Sequence, residues 1–403
     1  MTNTLPKLPK AVILGGGFAG VAAGQVLARS GRVSTTLINR SSFHVFHASL
    51  YEAACEEIAR DTVIIPLSQI FSGTGLEVVK DEATSVDKTK RSVYLKSGKS
   101  IDYDYLVLAL GAESNDFGIK GVREFAYVFR ELKETILLRD HIRTVFHLAD
   151  ERGQEEVNIV VCGGGFSGVE LAGELRHHTS GMMSDYPTKK VGITILEAGP
   201  QILPGMGEGV VRLTADKLKS LKIEVKLGDP VSEIKKDGVR LKSGIWIPAD
   251  VTVWTAGTKP NPLPAAMGLP VDEKGRPAVS PALNVLGYAD IFAAGDLAGF
   301  TDPKTGKGIA PQAHYAIEMG KLVGKNILRL ANKLSPQDFK PDPLEIIVPV
   351  GHNYAVSSFD GKISAGLWPS FLRKLIEFRY LVGLFGVVRA WPIFWQEMKV
   401  MAD

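Results

Sequence analysis

Cysteine is scarce in this chain: two in 403 residues, Cys55 and Cys162. That excludes a disulfide framework and leaves too few thiolates for an iron–sulfur cluster. Cys162 closes an apolar run and is expected in the core. Charge of one sign is also lacking, because 47 Lys and Arg stand against 44 Asp and Glu for a net +3. Nothing in that balance recommends nucleic acid as a partner. The eight histidines show no ligand spacing, so no metal site is expected. Long hydrophobic runs are missing too. The longest near the C-terminus, Tyr380 to Val388, has nine residues, against the ~20 that a spanning helix needs. Met1 to Lys10 is polar, without the apolar stretch of a secretory signal. What remains, with 45% hydrophobic residues and no low-complexity tract, is a composition able to bury a sizeable core in two domains.

Glycine is plentiful, and its placement is informative. Two triplets, Gly15-x-Gly17-x-x-Gly20 and Gly163-x-Gly165-x-x-Gly168, lie 148 residues apart. Each follows an apolar strand, Ala11 to Leu14 or Ile159 to Cys162. The first glycine of such a triplet makes a tight turn that needs positive φ. The second lets the backbone approach a pyrophosphate, and the third lets the next helix pack on its strand with its free N–H groups aimed at the phosphates. Two copies in strand–turn–helix context predict two bound dinucleotides.

The end of the following strand adds an independent sign, since an acidic residue there accepts hydrogen bonds from ribose hydroxyls. In the second copy, Val191 to Leu196 ends in Glu197 with no arginine beside it, which repels a 2′-phosphate and favours NAD. In the first copy the strand Ser34 to Ile38 ends in Asn39 and Arg40. The Asn39 amide bonds a ribose without charge, or it simply opens the next turn. A second repeat accompanies the first. Val93 to Gly98 (VYLKSG), with Ile101, Asp104 and a strand into Gly111, recurs 146 residues later as Val239 to Gly244 (VRLKSG), with Ile247, Asp250 and a strand into Gly257. Each copy predicts a hairpin turning at Ser-Gly and a last strand ending at a cofactor-facing glycine.

The expected fold is α/β, with two Rossmann-like dinucleotide-binding domains and a C-terminal amphipathic helical region. Residues 1–112 and 259–331 form the first domain, 113–258 the second, and 332–403 a region of strands and then helices. The later part of the first domain contains a strand from Ile291 ending at Asp296, where a flavin's ribityl chain or pyrophosphate passes. It also contains a helix from about Pro311 to Ala331, with proline in its first turn. The positive N-terminus of that helix suits a ring carbonyl that becomes negative on reduction. In the tail, eight aromatics lie between Trp368 and Trp395, including three of the five tryptophans, interleaved with Arg373, Lys374, Arg379, Arg389 and Lys399. Phe371, Leu372, Leu375 and Ile376 share one helical face, and Trp391, Phe394, Trp395 and Met398 follow helical spacing. Pro392, Gly383 and Gly386 are expected to divide the region into short pieces. Such pieces lie in a membrane interface, or they cover the first domain or a twin subunit.

With these residues in hand, the chain resembles the two-dinucleotide-binding-domain flavoproteins, and within them the type II NADH dehydrogenases, single-subunit NADH:quinone oxidoreductases. The resemblance is carried by GGGFAG at 15–20, Phe43 to Phe46 with Leu50 and Tyr51, LVLALGAESNDFGIKGV at 106–122, VVCGGGFSGVELAGEL at 160–175, Trp254 to Gly257, IFAAGDLA at 291–298 and LRKLIEFRY at 372–380. It implies FAD in the first domain, with Gly15, Gly17, Phe18, Ala19 and Gly20 at the pyrophosphate, Asn39 and Arg40 at the adenosine end, Ala83 at the adenine edge, Gly111 near the phosphates, Asp296 at the ribityl chain, and Ala313 and His314 at the flavin. It implies NADH as substrate in the second, held by Gly163, Gly165, Phe166, Ser167, Glu197 and Gly257. Glu170 matches a family carboxylate near the nicotinamide and flavin, and otherwise reads as a helix-surface glutamate. A quinone pocket would include His314, Glu318, Lys374 and Ile376.

The resemblance further implies hydride transfer from NADH to FAD and two electrons onward to a quinone without proton pumping. The enzyme would be a peripheral protein, dimeric, on the cytoplasmic side of the cell membrane. One departure stands out. Where the family carries two glutamines four residues apart, this chain has His314 and Glu318, a pair able to deliver protons to a reduced quinone or simply to alter the polarity of the pocket. The rival functions are a sulfide:quinone oxidoreductase, which would need cysteines on both sides of the flavin, a reductase of a small redox protein, and a non-catalytic NADH sensor.

Overall fold

The computed structural model describes residues 8–55, 63–343 and 345–400, so most of the polar start of the chain lies outside the described residues. The chain divides into two compact units. The first comprises residues 1–45, 64–113 and 258–342, the second 46–63, 114–257 and 343–403.

Each unit is built on a five-stranded parallel sheet of the same design. In the first unit the order is Ile291–Ala293, Tyr105–Leu108, Lys10–Leu14, Ser34–Asn39, Glu77–Lys80. In the second it is Tyr127–Val128, Val251–Trp254, Glu156–Cys162, Lys190–Glu197, Ile223–Leu227. These strands are runs of Val, Ile and Leu because parallel sheets are covered on both faces, and Ile13, Leu14, Val107, Val161 and Val253 are fully buried. In the first unit, the helix Phe18–Ser30 packs on the helix Ala313–Ala331. Their approach is so close that a Cβ on Gly320 would stand 2.2 Å from the Ala19 carbonyl oxygen.

The hairpin repeat is present in both units. Ala83–Asp87, Ser92–Leu95 and Ser100–Asp102 form one antiparallel sheet; Val231–Lys235, Gly238–Leu241 and Trp246–Pro248 form the other. Gly98 and Gly244 turn the hairpins at φ +85° and +94°. The register of each sheet shifts at the corresponding place, between Ala83 and Ser85 and between Val231 and Glu233. The aspartates of the repeat have matching work. Lys10 N–H donates to Asp104 Oδ2 at 2.7 Å, and Asn158 N–H donates to Asp250 Oδ2 at 2.8 Å. Each aspartate N–H returns a bond to the carbonyl of the same partner, which pins the closing strand to the first strand.

Four expectations are corrected. The segment after residue 45 clusters with the second unit, because Tyr51, Ala54 and Cys55 are buried in one core with Val169, Leu171 and Val253. The C-terminal strands Ile346–Pro349, Ala355–Phe359 and Lys362–Gly366 and the helices after them also cluster with that unit rather than standing apart, since Val348, Val350 and Val356 complete the same core. The helix that was to start at Pro311 starts at Ala313, with extended Gln312 as its cap, so Pro311 precedes it. In the tail only Gly386 breaks the helix. Leu367–Phe385 runs through Gly383 and ends where Gly386 adopts φ +82° and bonds the Val382 carbonyl, while Pro392 lies inside Val387–Val400, where it forfeits one backbone hydrogen bond.

Candidate active site

In the first unit the glycine loop meets the geometric demands of a phosphate cradle. Gly15 has φ +109°, and a Cβ there would stand 2.2 Å from the Ala109 carbonyl oxygen; on Gly20 it would stand 1.9 Å from that of Gly15. Gly17 differs, because a Cβ on it would meet nothing within 4 Å. The first and third glycines are therefore required by the protein's own backbone, and the second faces open space at the N-terminus of Phe18–Ser30, where no side chain caps the helix. In the second unit Gly163 has φ +121°, a Cβ on Gly168 would lie 1.9 Å from the Gly163 oxygen, and one on Gly165 would meet nothing, at the equally uncapped start of Phe166–Met182. Open second glycines at helix starts that no side chain caps fit a pyrophosphate in each unit.

Asn39 and Glu197 hold equivalent places. Gly16 N–H donates to Asn39 Oδ1 at 2.9 Å, and Gly164 N–H donates to Glu197 Oε2 at 2.7 Å. The Asn39 amide nitrogen donates onward to Ser41 and Phe43, so this side chain fastens both the glycine loop and the following turn. Glu197 Oε1 accepts from Gly199 N–H at 2.7 Å, which leaves each oxygen one further lone-pair direction for a ribose hydroxyl. Sequence reasoning missed His44, whose buried ring bonds the Gly16 carbonyl at 2.9 Å through Nδ1 and meets Phe18 edge-on.

The remaining cradle residues fall as follows. Ala19 is buried beneath the glycine loop, and Arg40 is exposed. Ala83 opens its hairpin strand, and Gly111 turns at φ +67° after its strand. Asp296 lies in the short turn Gly295–Leu297, and Ala313 opens its helix. Phe166 and Ser167 begin the second-unit helix, and Gly257, at φ +71°, lies under the Phe117 ring.

The four expected acceptor-pocket residues divide between the units. His314 Nε2 and Glu318 Oε2 are 3.6 Å apart on the helix Ala313–Ala331, an ion-pair distance rather than a hydrogen bond. Asp342 joins them, with ligand atoms of all three within 4.8 Å of one another. That grouping was invisible in the sequence because Asp342 arrives from a loop held by its carbonyl to Tyr315 Oη. Partial burial pushes the Glu318 carboxyl up, His314 opposes this, and Asp342 adds to it. One imidazole and two carboxylates together have the donor chemistry of a divalent-cation site, a grouping that the histidine spacing alone did not predict.

Lys374 and Ile376 share a helix in the second unit but not an environment, for Ile376 is exposed while Lys374 is buried in a charge cluster. Lys374 Nζ donates to Glu52 Oε1 at 2.7 Å and lies 3.4 Å from Glu377 Oε2. Arg373 donates to the same Glu52 oxygen through two nitrogens at 3.0 and 3.1 Å, bonds Glu377 Oε1 as well, and stacks 5.1 Å over the Tyr51 ring. Burial alone would push Glu52 up, but the charges and hydrogen bonds of Arg373 and Lys374 hold its carboxyl down at about 2. Glu170 behaves oppositely. Burial, against a partial offset from Arg373 and with help from Glu52 and Glu377, pushes it up to about 7. A carboxyl in that range exchanges a proton at neutral pH. Glu377 was missed in the sequence, where its i, i+4 spacing from Arg373 was the one available signal; the burial of this group against Glu52 left none.

Both cysteines are buried and neither forms a disulfide, and burial pushes the Cys162 thiol up to about 12, so that thiol stays protonated and chemically quiet at neutral pH. Paired parallel sheets, each with a glycine cradle and a polar strand end, define an oxidoreductase fold for two dinucleotides. The chain belongs to the pyridine nucleotide-disulphide oxidoreductase family, which residues 9–320 match. It is 28% identical over 391 residues to the type II NADH:quinone oxidoreductase of Staphylococcus aureus (strain NCTC 8325), covering 94% of this chain and 96% of that one. It is 26% identical over 389 residues to the Staphylococcus haemolyticus enzyme of the same name, with the same coverage. In fold it is similar to NDH2 from Plasmodium falciparum in complex with NADH, with a TM-score of 0.87 at 16% identity over 98% of both chains. It is also similar to the sulfide:quinone oxidoreductase of Aquifex aeolicus, at 0.80 and 20% over 94% of this chain and 92% of that one.

Proposed function

We infer that this chain is a type II NADH:quinone oxidoreductase, with FAD in the first unit and NADH as the substrate of the second. The observation that carries this reading is the pair of open glycine cradles, one ending at neutral Asn39 and the other at ionisable Glu197, on a chain similar along nearly its whole length to enzymes of that name. The bound flavin would take hydride from NADH and pass two electrons to the quinone. The protein's residues hold and orient. Gly17 and Gly165 leave room for the pyrophosphates, the helices beginning at Phe18 and Phe166 offer them N–H groups, and Glu197 selects a ribose without a 2′-phosphate. Reduction of quinone to quinol consumes one proton beyond the hydride. His314 and Glu318, on a helix packed beside the first cradle, deliver it at the acceptor.

The exposed tail supports membrane association. No helix among the described residues is long and apolar enough to cross a bilayer. Leu367, Trp368, Val387, Val388, Trp391 and Trp395 are nevertheless exposed, Val388 at 87%, and Arg379 and Arg389 are exposed among them. Tryptophan with flanking arginine is the chemistry of a lipid interface, where a quinone resides. Against the sulfide:quinone reading stands the buried, high-pKa Cys162.

The test is steady-state turnover of flavin-loaded protein with soluble and lipid-borne quinones, using NADH and NADPH. The expected result is NADH-dependent quinol formation, with NADPH at least about tenfold poorer, the effect of one charge-assisted recognition, and a flattened pH profile for His314→Gln. Absence of quinone reduction with NADH contradicts the assignment, and an unchanged H314Q profile contradicts the role of His314.

A further inference from the structure

One turn of the second unit carries a side chain that its backbone does not favour. Ile119 N–H donates to the Asp116 carbonyl at 2.9 Å, closing a β-turn whose central residues, Phe117 and Gly118, have φ +51° and +71°. Asparagine, aspartate and glycine adopt positive φ at both central positions readily, and a bulky side chain is strained there. Gly118 meets that demand; Phe117 does not. The strained residue is held from several sides. Phe117 N–H donates to Asn115 Oδ1 at 3.0 Å, Gly118 N–H donates to Asp116 Oδ1 at 3.1 Å, and Arg123 binds the other Asp116 oxygen. Asn115 is in turn tied to the end of the strand Val251–Trp254: its N–H donates to the Gly257 carbonyl at 3.2 Å, and its carbonyl accepts from Trp254 Nε1 at 2.9 Å.

A core contact does not explain the phenylalanine. At 61% exposure it is the most exposed large apolar side chain outside the C-terminal helices among the described residues. Its ring lies against Gly257, two ring carbons standing 2.4 and 2.6 Å from where a Cβ on that glycine would be. Residues 255–257 adjoin the glycine loop, since Thr255 Oγ1 donates to the Gly163 carbonyl at 3.1 Å and a Cβ on Gly163 would stand 2.9 Å from the Ala256 nitrogen. In the sheet, Glu156–Cys162 lies between Lys190–Glu197 on one side and Val251–Trp254 on the other. A dinucleotide with its pyrophosphate at Gly165 and its adenosine ribose at Glu197 runs its other half past the end of Val251–Trp254. Gly257 and the Phe117 ring stand at that end.

We propose that Phe117 binds the nicotinamide half of NADH, its ring packing against the nicotinamide. This rests on the reading of the second unit as the NADH site. A residue that breaks the local rule of its turn, and is fixed there by its neighbours, marks a place where a ligand rather than the fold selects the side chain. An aromatic ring fixed in advance also loses little freedom when the substrate arrives.

The experiment measures affinity for NADH and for ADP-ribose, which lacks the nicotinamide ring, on anaerobic holoenzyme whose flavin has been reduced beforehand so that no hydride is transferred. Thermal melts and flavin spectra are recorded in parallel. Phe117→Asn, which suits the turn, is expected to melt at least as high as the wild type and to keep its flavin. It should bind NADH about tenfold or more weakly and ADP-ribose within about twofold of the wild type. Phe117→Tyr and Phe117→Trp should keep the NADH affinity. Unchanged or tighter NADH binding in F117N overturns the proposal, and so does an equal loss for both ligands. An F117N protein that does not fold, or melts several degrees lower, also overturns it, because the ring then serves the fold. Wild-type protein that binds neither ligand contradicts the NADH reading of the second unit and takes the proposal with it; ligands that bind but are indifferent to residue 117 contradict the proposal alone.

Discussion

Gly17 and Gly20 are both glycines of one motif, yet the surroundings of a single added methyl separate their roles. At Gly20 the methyl would lie 1.9 Å from a backbone oxygen that cannot move aside without opening the turn; at Gly17 it would meet nothing. Gly20→Ala is therefore expected to destabilise the fold by more than about 3 kcal/mol. Gly17→Ala is expected to fold with a melting temperature within a few degrees of the wild type and to lose bound flavin. Thermal melts with a visible spectrum check both, and a Gly17→Ala protein that retains full pigment contradicts the cradle assignment. Legibility at this scale was high where a residue answers to its chain neighbours. The triplets, Glu197 and the hairpin glycines were all readable because backbone geometry demands them locally. Asn39 was half-readable: its position was clear, but its bonds to Ser41 and Phe43 follow from a turn that the sequence only suggests.

Among elements, the helix Leu367–Phe385 is fastened to Leu50–Ala54 by charges rather than by oil, and its pH response has a definite sign. Glu52 is held near 2, below the ordinary 4.5, so its pairing contributes stability above about pH 4.5 that is lost as pH falls toward about 2. Glu170, raised to about 7, acts in the other direction, withdrawing stability as pH rises from about 4.5 to about 7. Melting temperature against pH should thus fall on the acid side in the wild type. Glu52→Gln should cost about 3–5 kcal/mol at neutral pH, where it leaves two buried cations to share the single carboxylate of Glu377, and show a shallower acid limb. Glu170→Gln should melt at a temperature that rises relative to the wild type between about pH 5 and 7. An acid limb in E52Q as steep as in the wild type would contradict the pairing. None of this was legible in advance, because Glu52 and Arg373 are 321 residues apart and a charge ladder on a helix usually faces water.

The last helix carries a different expectation. Phe394 is buried against Phe378, while Trp391 and Trp395 lie about half-exposed beside them. Replacing Trp368, Trp391 and Trp395 together by serine should leave the melting temperature nearly unchanged and weaken sedimentation with anionic lipid vesicles on the order of a hundredfold or more. Unchanged vesicle binding would contradict the lipid assignment, and a shift from dimer to monomer instead would give this face to a second copy of the chain. The aromatic spacing was visible in the sequence, as was the helix end at Gly386. The continuity through Gly383 and Pro392 was not, since packing overrides the local cost of those residues.

On the scale of the whole molecule, duplication explains most of what the sequence reveals. Two sheets of one design, two cradles, two hairpins with a register shift at the same place and two aspartates pinning equivalent strands recur at nearly constant spacing. A repeat tests itself, so both dinucleotide units were recognisable without coordinates. The assignment of 46–63 and 343–403 to the second unit depends on contacts with no periodic signature and had to be seen. The account as a whole stands on one electron path, from NADH through flavin to quinone. The most direct measurement is an anaerobic titration of the flavin-loaded protein followed by visible absorbance. Stoichiometric NADH should bleach the flavin, and added quinone should restore its colour with equimolar quinol formed. A protein that takes up no flavin on reconstitution, or whose flavin stays oxidised in excess NADH, would contradict it.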